Sequence, residues 1–274
     1  MLSSLDEWIL EQKYQEYSEN TLKQYRANVL KFINWIPNNE EITKDTTIEY
    51  KKYLSTIAGS TSSINTWIVT INKYFKWLGM NDLVIKKIKV QQKQSNEDVL
   101  SISDYKRLLR ISKREGLMKL YYIMKILAMT GIRISELKYF TYENLDSNYI
   151  KVFNKGKERK IIIRQDLLRE LRKYCTDNNI KDGYIFLGIK KGKPINDSTI
   201  FRQMKKVAGI ARVNKKKVHA HSFRHLFAQV FLEAYSNNIT ELADILGHNS
   251  LDTTRLYTKT SDAQKRAKLE QLKY

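Results

Sequence analysis

The chain has 274 residues and a formal net charge of +20 at pH 7, which is enough length for one large domain or two modest ones. It contains no run of about 18 apolar residues, and residues 1–7 lack the basic start and apolar stretch of a signal peptide. From these features we expect a cytoplasmic protein with no membrane-spanning helix, no signal peptide and no membrane partner. The single cysteine, Cys175, excludes an internal disulfide and a cysteine-rich zinc site.

The positive charge is concentrated in the C-terminal part of the sequence. Residues 1–92 contain 12 Lys and Arg against 10 Asp and Glu, whereas residues 99–274 contain 36 against 17. A polyanion is the natural partner of such a surface, and nucleic acid is the commonest one. A lysine-rich composition typical of AT-rich genomes would raise the charge in the same way without any binding function.

Residues 1–90 have the pattern of a small helical bundle. Apolar residues recur with a period close to 3.6 over 25–36 and again over 64–78. Helix starts are indicated at Ser18, at Asp45 or Thr46 for a shorter helix, and at Ser60 or Thr61, with helix ends at Pro37 and Gly79. We expect the aromatic stripes of these helices to form a core rather than a ligand site. Residues 91–98 are all polar and are predicted to be a linker.

The second domain, 99–274, is predicted to combine helices with a small antiparallel sheet. Two short strands at 149–153 and 159–163 flank the turn residues 154–157, which predicts a hairpin. Helices are expected from Ser101 or Ser103, over Leu117–Met129, from a cap at Asp166 to about Cys175, and over 198–208, 222–234, 240–246, 251–258 and 261–272, with 184–187 as a third strand. The predicted fold is therefore mainly α, with a helical domain followed by an α+β domain.

All four histidines occur late in the sequence, at His219, His221, His225 and His248. Any one of them alone is as easily a hydrogen-bonded core or cap residue, but the clustering favours a site. A zinc site is one interpretation, yet no His-Glu-x-x-His motif, cysteine pair or aspartate cluster supports it. We therefore predict no metal and no other cofactor.

A phosphate site fits the same region better. His221 and Arg224 are three residues apart on a predicted helix, so both face one side. Arg133 follows Gly131, which ends a helix, and Glu136 can pair with Arg133 and fix its guanidinium. Two arginines can hold both non-bridging oxygens of a phosphodiester.

At these residues the sequence resembles the tyrosine recombinase (phage integrase) family, particularly its compact Xer-like members. The motif Thr-Gly-x-Arg-x-x-Glu-Leu at 130–137 and His-x-x-Arg-His at 221–225 match two family motifs in order. Leu-Gly-His at 246–248, followed by Tyr257, matches the last one. The turn Asn-Lys-Gly-Lys at 154–157 matches the hairpin that carries the family's catalytic lysine. Residues 1–90 resemble the family's helical core-binding domain with lower specificity.

The resemblance implies a catalytic set of Arg133, Lys155, His221, Arg224, His248 and Tyr257. Tyr257 would be the nucleophile, and Lys155 or, as an alternative, Lys157 would protonate the leaving oxygen. His221 would act as a general base or as a further phosphate donor, while His248 would donate to the same phosphate. Because a phosphotyrosyl ester keeps the bond energy, ATP and divalent metal are not required.

The resemblance also implies roles for the neighbouring side chains and for the last helix. Glu136 would orient Arg133, and His225 is expected to be structural. The helix at 261–272 would dock into a second copy of the chain, although packing on its own domain is the alternative. The implied partners are double-stranded DNA and further copies of this chain, as a dimer on each site and a tetramer in synapsis, with no small-molecule substrate.

Three other functions stay open at this point. A type IB topoisomerase shares the chemistry but relaxes DNA as a single subunit without a defined site. A catalytically inactive DNA-binding protein would not need the complete catalytic set. An RNA-binding protein is the third, but no aromatic RNA motif is present. For a recombinase, chromosome-dimer resolution and integration or excision of a mobile element are both consistent with the sequence.

Overall fold

The computed structural model describes residues 2–37, 41–89, 99–154, 157–189, 192–235 and 238–247, together with Thr254 and Glu270. The chain divides into two compact units, Met1–Gln92 and Lys93–Tyr274. The predicted linker at 91–98 lies outside the described residues. So do the predicted helices at 251–258 and 261–272, except that Thr254 and Glu270 are helical.

Four helices build the described part of the first unit: α1 (Leu2–Tyr14), α2 (Glu19–Ile33), α3 (Lys44–Ile57) and α4 (Thr61–Trp77), followed by a 3₁₀ turn at Asn81–Leu83. Ser18 and Ser60 cap α2 and α4, as predicted, because each hydroxyl oxygen accepts a backbone N–H of the first turn. The helix predicted after Asp45 or Thr46 is present as α3, but its predicted start was wrong. Thr43 is its cap, in a reciprocal pairing with Thr46, and its 14 residues make it about as long as its neighbours.

The core of the first unit is aromatic, as the sequence predicted. Phe32 packs edge-on against Tyr50 and Phe75, with ring centroids 4.9 and 5.3 Å apart. Trp8 stacks on Tyr25 at 5.5 Å in a second cluster. Such contacts add to the burial of large apolar area, so the aromatic rings contribute strongly to holding these helices together.

Where the structure describes it, the second unit is helical around one hairpin. Its helices are α5 (Ile102–Arg114), α6 (Met118–Thr130), α7 (Gln165–Asp177), α8 (Asp197–Ile210), α9 (Ala220–Ala234) and α10 (Ile239–Leu246), with 3₁₀ turns at Ile134–Tyr139, Glu143–Asp146 and Lys215–Lys217. Ser101 caps α5, which is one of the two predicted caps. The predicted cap at Asp166 was wrong, because α7 begins one residue earlier and the Asp166 carboxylate binds Arg164 instead.

The hairpin pairs β1 (Tyr149–Asn154) with β2 (Lys157–Ile162) in antiparallel register. Ile150, Val152 and Ile161 are buried on its inner face. The predicted third strand at 184–187 was wrong: its ends form only isolated bridges, Tyr184 to Thr141 and Leu187 to Pro194. The fold class, mainly helical with a small antiparallel sheet, is confirmed.

Candidate active site

Two glycine turns define the candidate site in the second unit. α6 ends at Gly131 and α10 ends at Gly247, and both glycines have a left-handed backbone, with φ of 62° and 64°. A Cβ atom at Gly131 would lie 2.5 Å from the Phe227 ring, and one at Gly247 would lie 2.6 Å from Cδ of Arg159. Backbone conformation and close packing therefore both demand glycine at these turns.

Arg224 joins the two turns. Its side chain lies in α9 and is only 2% exposed. Nη1 donates to the carbonyl of Gly131 at 2.6 Å, and Nη2 donates to the carbonyl of Leu246 at 2.9 Å. A buried guanidinium is tolerated only when it is hydrogen-bonded, so these carbonyls hold Arg224 between the ends of α6 and α10.

Arg133 stands directly after the first turn and reaches the second. Its Nη1 lies 3.2 Å from Oε1 of Glu136, its backbone N–H donates to Oε2 of the same carboxylate at 2.8 Å, and its Nη2 donates to the Gly247 carbonyl at 3.4 Å. The contact expected between Arg133 and Glu136 is therefore present. The Arg133 side chain is 37% exposed, so its guanidinium is accessible from solvent.

A third arginine, Arg159 of β2, completes the arrangement. Its Nη2 binds Oε2 of Glu136 at 2.7 Å, and its Nη1 donates to the Ile245 carbonyl at 2.7 Å. Arg159 is not among the site residues that the sequence motifs predict. A signal was nevertheless present in the strand pattern, because Arg159 shares the period-two face of β2 with the buried Ile161 and lies opposite the buried Val152.

The end of α10 is thus bound by three different arginines on three consecutive carbonyls. The guanidinium groups are the donors: Arg159 donates to the carbonyl of Ile245, Arg224 to that of Leu246, and Arg133 to that of Gly247. The last carbonyls of a helix have no partner within it and carry the negative end of its dipole. Positive side chains are therefore favoured here. Arg133 and Arg224, which come from different sequence motifs, both bind this helix end.

Glu136 supplies the negative charge inside this group. Its side chain is 2% exposed, and burial by itself would raise its pKa. The hydrogen bond from the Arg133 backbone, followed by the charge of Arg159, outweighs burial and lowers the pKa of the carboxyl group. Glu136 is therefore ionised at neutral pH and can fix two guanidinium groups.

Three histidines lie at the start of α9. His221 keeps an exposed edge, while its ring packs against His225 with centroids 4.8 Å apart. Loss of hydration on the packed side lowers the pKa of His221, and the charge of Arg224 lowers it further. Burial lowers the pKa of His225 to about 4. His219 has a lowered pKa for the same reason, and its Nε2 is 2.9 Å from Oγ of Ser222. His221 is therefore neutral at pH 7 and can accept a proton.

Three predicted site residues, Lys155, His248 and Tyr257, lie outside the described residues. β1 ends at Asn154 and β2 begins at Lys157, so Lys155 falls between the paired strands in sequence. The side chain of Lys157 is also not described. Arg133, Glu136, His221 and Arg224 are the predicted site residues whose geometry can be stated.

Two further observations bear on the class of site. Within the described ranges, no three His, Cys, Asp or Glu side chains are grouped in a way that could hold a metal ion. Over the same part of the chain, every helix is too short or too polar to cross a bilayer.

Comparison with known proteins gives the family. Residues 98–264 match the model of the phage integrase family, and residues 6–80 match that of the phage integrase N-terminal SAM-like domain. This chain belongs to the phage integrase family. It is 29% identical over 269 residues to a tyrosine recombinase of Thermosipho africanus, and that alignment covers 91% of this chain and 92% of the relative. The family resemblance inferred from the motifs is confirmed.

Solved structures show the same fold. A XerA recombinase crystal structure matches over 98% of both chains, with 24% identity and a TM-score of 0.55. A lambda integrase tetramer bound to a Holliday junction matches over 93% of this chain and 76% of that chain, with 16% identity and a TM-score of 0.76. Both likenesses support an integrase-type architecture of a helical SAM-like domain and a catalytic domain.

Proposed function

We propose that this phage integrase family member is a site-specific DNA recombinase that cuts and rejoins double-stranded DNA through Tyr257. The observation that carries the proposal is the convergence of Arg133 and Arg224 on the single turn at the end of α10, directly before His248. Two guanidinium groups held at one place can bind one phosphodiester. The basic composition of residues 99–274 supports a DNA partner.

In the proposed reaction, the Tyr257 oxygen attacks phosphorus and the bond from phosphorus to the 5′ oxygen breaks. The phenol, with a pKa of about 10, is a weak nucleophile at neutral pH. Its proton passes to the neutral ring of His221 or to water. Negative charge builds on the non-bridging oxygens in the transition state, where Arg133, Arg224 and His248 stabilise it.

The leaving 5′ oxygen needs a proton, because it would otherwise depart as an alkoxide. We assign this proton to the ammonium group of Lys155, with Lys157 as the alternative donor. The product is a 3′-phosphotyrosyl ester and a free 5′-hydroxyl. A 5′-hydroxyl of a partner strand then attacks the ester and releases Tyr257, so strand exchange conserves the bond energy.

Covalent capture tests the proposal. The purified protein is incubated with fragmented genomic DNA of its own host, denatured in detergent, and the DNA that stays attached is sequenced. We expect one enriched sequence, capture that persists in EDTA, and no capture by Tyr257→Phe at unchanged duplex binding. Capture by Tyr257→Phe at the wild-type level, or a strict need for a divalent metal, would refute the assignment.

The type IB topoisomerase alternative predicts a different product. Such an enzyme relaxes any supercoiled plasmid, whereas a recombinase exchanges strands only between copies of its own sequence. We expect exchange between two plasmids that each carry the captured sequence, and little relaxation of a plasmid without it. Efficient relaxation of the plain plasmid with no exchange would favour the topoisomerase.

We further propose that the protein assembles as a dimer on each site and a tetramer in synapsis, through the helix at 261–272. Ala263, Ala267, Leu269 and Leu272 give this segment a small apolar stripe. An apolar cavity of about 590 Å³ between α5 and α9 is a suitable acceptor. Its lining includes Ile162 and Tyr235, which are 76% and 60% exposed.

Truncation after Thr260 tests this assembly. The shortened protein is expected to bind a single site as a monomer and to lose the tetrameric complex. Ile162→Glu, which places a charge in the acceptor, should have the same effect. Normal tetramers from both variants would contradict docking between copies.

The two units suggest a division of labour. We propose that residues 1–90 form the core-binding domain, that 91–98 form the linker, and that 99–274 form the catalytic domain, and that both domains bind DNA in the cytoplasm. Both chromosome-dimer resolution and integration or excision of a mobile element fit this chemistry. The captured sequence separates them, because a mobile element places it at the ends of the element.

A further inference from the structure

We infer that Arg159 is a positioning residue that fixes the β1–β2 hairpin, and with it the general-acid lysine, to the phosphate-binding arginines. The inference rests on the proposed function. Arg159 is not one of the residues to which the proposed reaction assigns a role. Its contacts nevertheless join the hairpin to both sides of the site.

The head group of Arg159 makes the first connection. Its Nη2 contacts Oε2 of Glu136 at 2.7 Å, the same oxygen that accepts the backbone N–H of Arg133 at 2.8 Å. One carboxylate oxygen therefore holds the start of the Arg133 segment and the middle of β2 together. With 14% and 2% of their side chains exposed, Arg159 and Glu136 form a pair that solvent screens weakly.

The stem of Arg159 makes the second connection. A Cβ atom at Gly247 would lie 2.6 Å from its Cδ and 3.1 Å from its Nε, so the stem lies directly against the turn before His248. Its Nη1 also binds the Ile245 carbonyl at 2.7 Å. Any shift of β2 is therefore resisted by the end of α10.

The position of Arg159 along the hairpin links these contacts to the lysine. Arg159 pairs with Val152, and two residue pairs further on, Asn154 pairs with Lys157, so Lys155 lies in the sequence between the members of this last pair. At about 3.4 Å per residue, the anchor lies about 7 Å from the last pair of the hairpin. Loss of the anchor is therefore expected to change where the paired strand ends next to Lys155 are held.

A leaving-group experiment separates positioning from general damage. Duplexes of the captured sequence are made with either oxygen or sulfur at the 5′ bridging position of the cleaved phosphate. A thiol has a pKa of about 8.5, so the sulfur leaves as a thiolate without needing the general acid. Within one protein preparation, the ratio of the two cleavage rates is independent of the fraction that is folded.

We expect Arg159→Gln to slow cleavage of the oxygen duplex by about a hundredfold, the usual effect of a misplaced catalytic group. Arg159→Gln should cleave the sulfur duplex within about tenfold of the wild-type rate. The variant that lacks the general acid, Lys155→Ala or alternatively Lys157→Ala, should also cleave the sulfur duplex within about tenfold of that rate. Arg159→Lys keeps the charge but cannot form both contacts at once, and its defect should be smaller. Lys160→Gln removes one charge from the outer face of the same strand and should leave both rates unchanged.

Two results would overturn the inference. One is an equal slowing of both duplexes by Arg159→Gln, which would show that Arg159 does not act through the general acid. The other is the absence of sulfur rescue in both lysine variants, which would show that the hairpin does not carry the acid. Failure of the proposed function is distinguishable from these, since wild-type protein would then cleave neither duplex.

Discussion

The two units bury polar side chains of different kinds. In the first unit, the buried polar residues described are neutral: Gln12, Asn28, Thr47 and Thr70. In the second unit, the buried polar residues include two charged ones of opposite sign, Glu136 and Arg224, both from the candidate site. Buried charge is a weak source of stability, since desolvation offsets much of the attraction. The burial of Glu136 and Arg224 is therefore better explained by the phosphate site that we propose than by a net gain in stability.

Two asparagine contacts in the first unit and the arginine contacts at the end of α10 show the same contrast at the backbone. In the first unit, Asn72 donates to the carbonyl of Ile85 and accepts its N–H at 2.7 and 2.8 Å, and Asn65 clamps Ile88 in the same way at 2.9 Å for both bonds. In the second unit, guanidinium groups bind the carbonyls 245–247. Neutral amides hold a segment in place, whereas arginines hold it and also present charge.

The largest expected effect tests whether the buried charge is functional. Arg224→Ala should reduce the rate of covalent cleavage about a thousandfold or more, because it removes a group that stabilises charge in the transition state. Asn28→Ala removes a buried polar group of the first unit, which donates to Thr70 at 3.0 Å. It should lower the melting temperature but leave the rate per folded molecule unchanged. Similar rates in the two variants would break the comparison.

The second prediction concerns the stability that depends on Glu136. Glu136→Ala leaves Arg133 and Arg159 without their carboxylate, and the free energy of unfolding should fall by about 3 kcal/mol or more. Glu158→Ala is the matched control, because its pair with Lys151 is exposed on the same hairpin and should contribute about 1 kcal/mol at most. Urea denaturation of both variants measures the difference. Equal losses of unfolding free energy in the two variants would show that removing a buried carboxylate destabilises the fold no more than removing an exposed one.

The third prediction uses the pKa of His225, which burial lowers most and the charges of His221, His219 and Arg224 lower further. Between the ordinary pKa of 6.5 and the folded value of about 4, the unfolded chain binds a proton that the folded chain does not. Stability should therefore fall as the pH falls through this window, by roughly 2–3 kcal/mol from this residue. The low pKa of Glu136 adds a further loss only at more acidic pH. Denaturation of wild type and His225→Gln at pH 7 and 4.5 should show the smaller change in the variant, and parallel changes would contradict it.

The smallest effect on stability is expected in the first unit, whose buried polar residues are neutral. Asn72→Ala should lower the free energy of unfolding by about 1–2 kcal/mol, since it leaves two backbone groups of Ile85 without their partner. The loss should be independent of salt, because no charge takes part. The loss in Glu136→Ala should change with salt more clearly. A salt-dependent loss of stability in Asn72→Ala would contradict the distinction between backbone groups bound by asparagine and backbone groups bound by arginine.

Local chemistry made much of the fold predictable. Ser18, Ser60 and Ser101 begin helices because a hydroxyl oxygen can accept a backbone N–H one turn ahead. The alternation in 149–163 identified the hairpin. The prediction of a strand at 184–187 was wrong because Ile185 and Phe186 pack into the core while the segment forms only isolated bridges. Apolar residues alone do not reveal whether a segment pairs with a strand.

Long-range contacts explain what could not be predicted in the site. The pairing of Arg133 with Glu136 spans three residues and follows from their spacing. The bond from Arg224 to Gly131 spans 93 residues, and that from Arg159 to Ile245 spans 86, so no local pattern specifies them. The inward position of Arg159 could be read from the strand, but its partners could not.

Identification of the residue that carries the DNA tests the central claim most directly. Protein trapped on its captured sequence is digested with protease and nuclease, and the peptide that retains a nucleotide is sequenced by mass spectrometry. The chain contains 17 tyrosines, so the assignment is demanding. We predict a 3′-linked nucleotide on Tyr257, and a nucleotide on any other side chain would contradict the account.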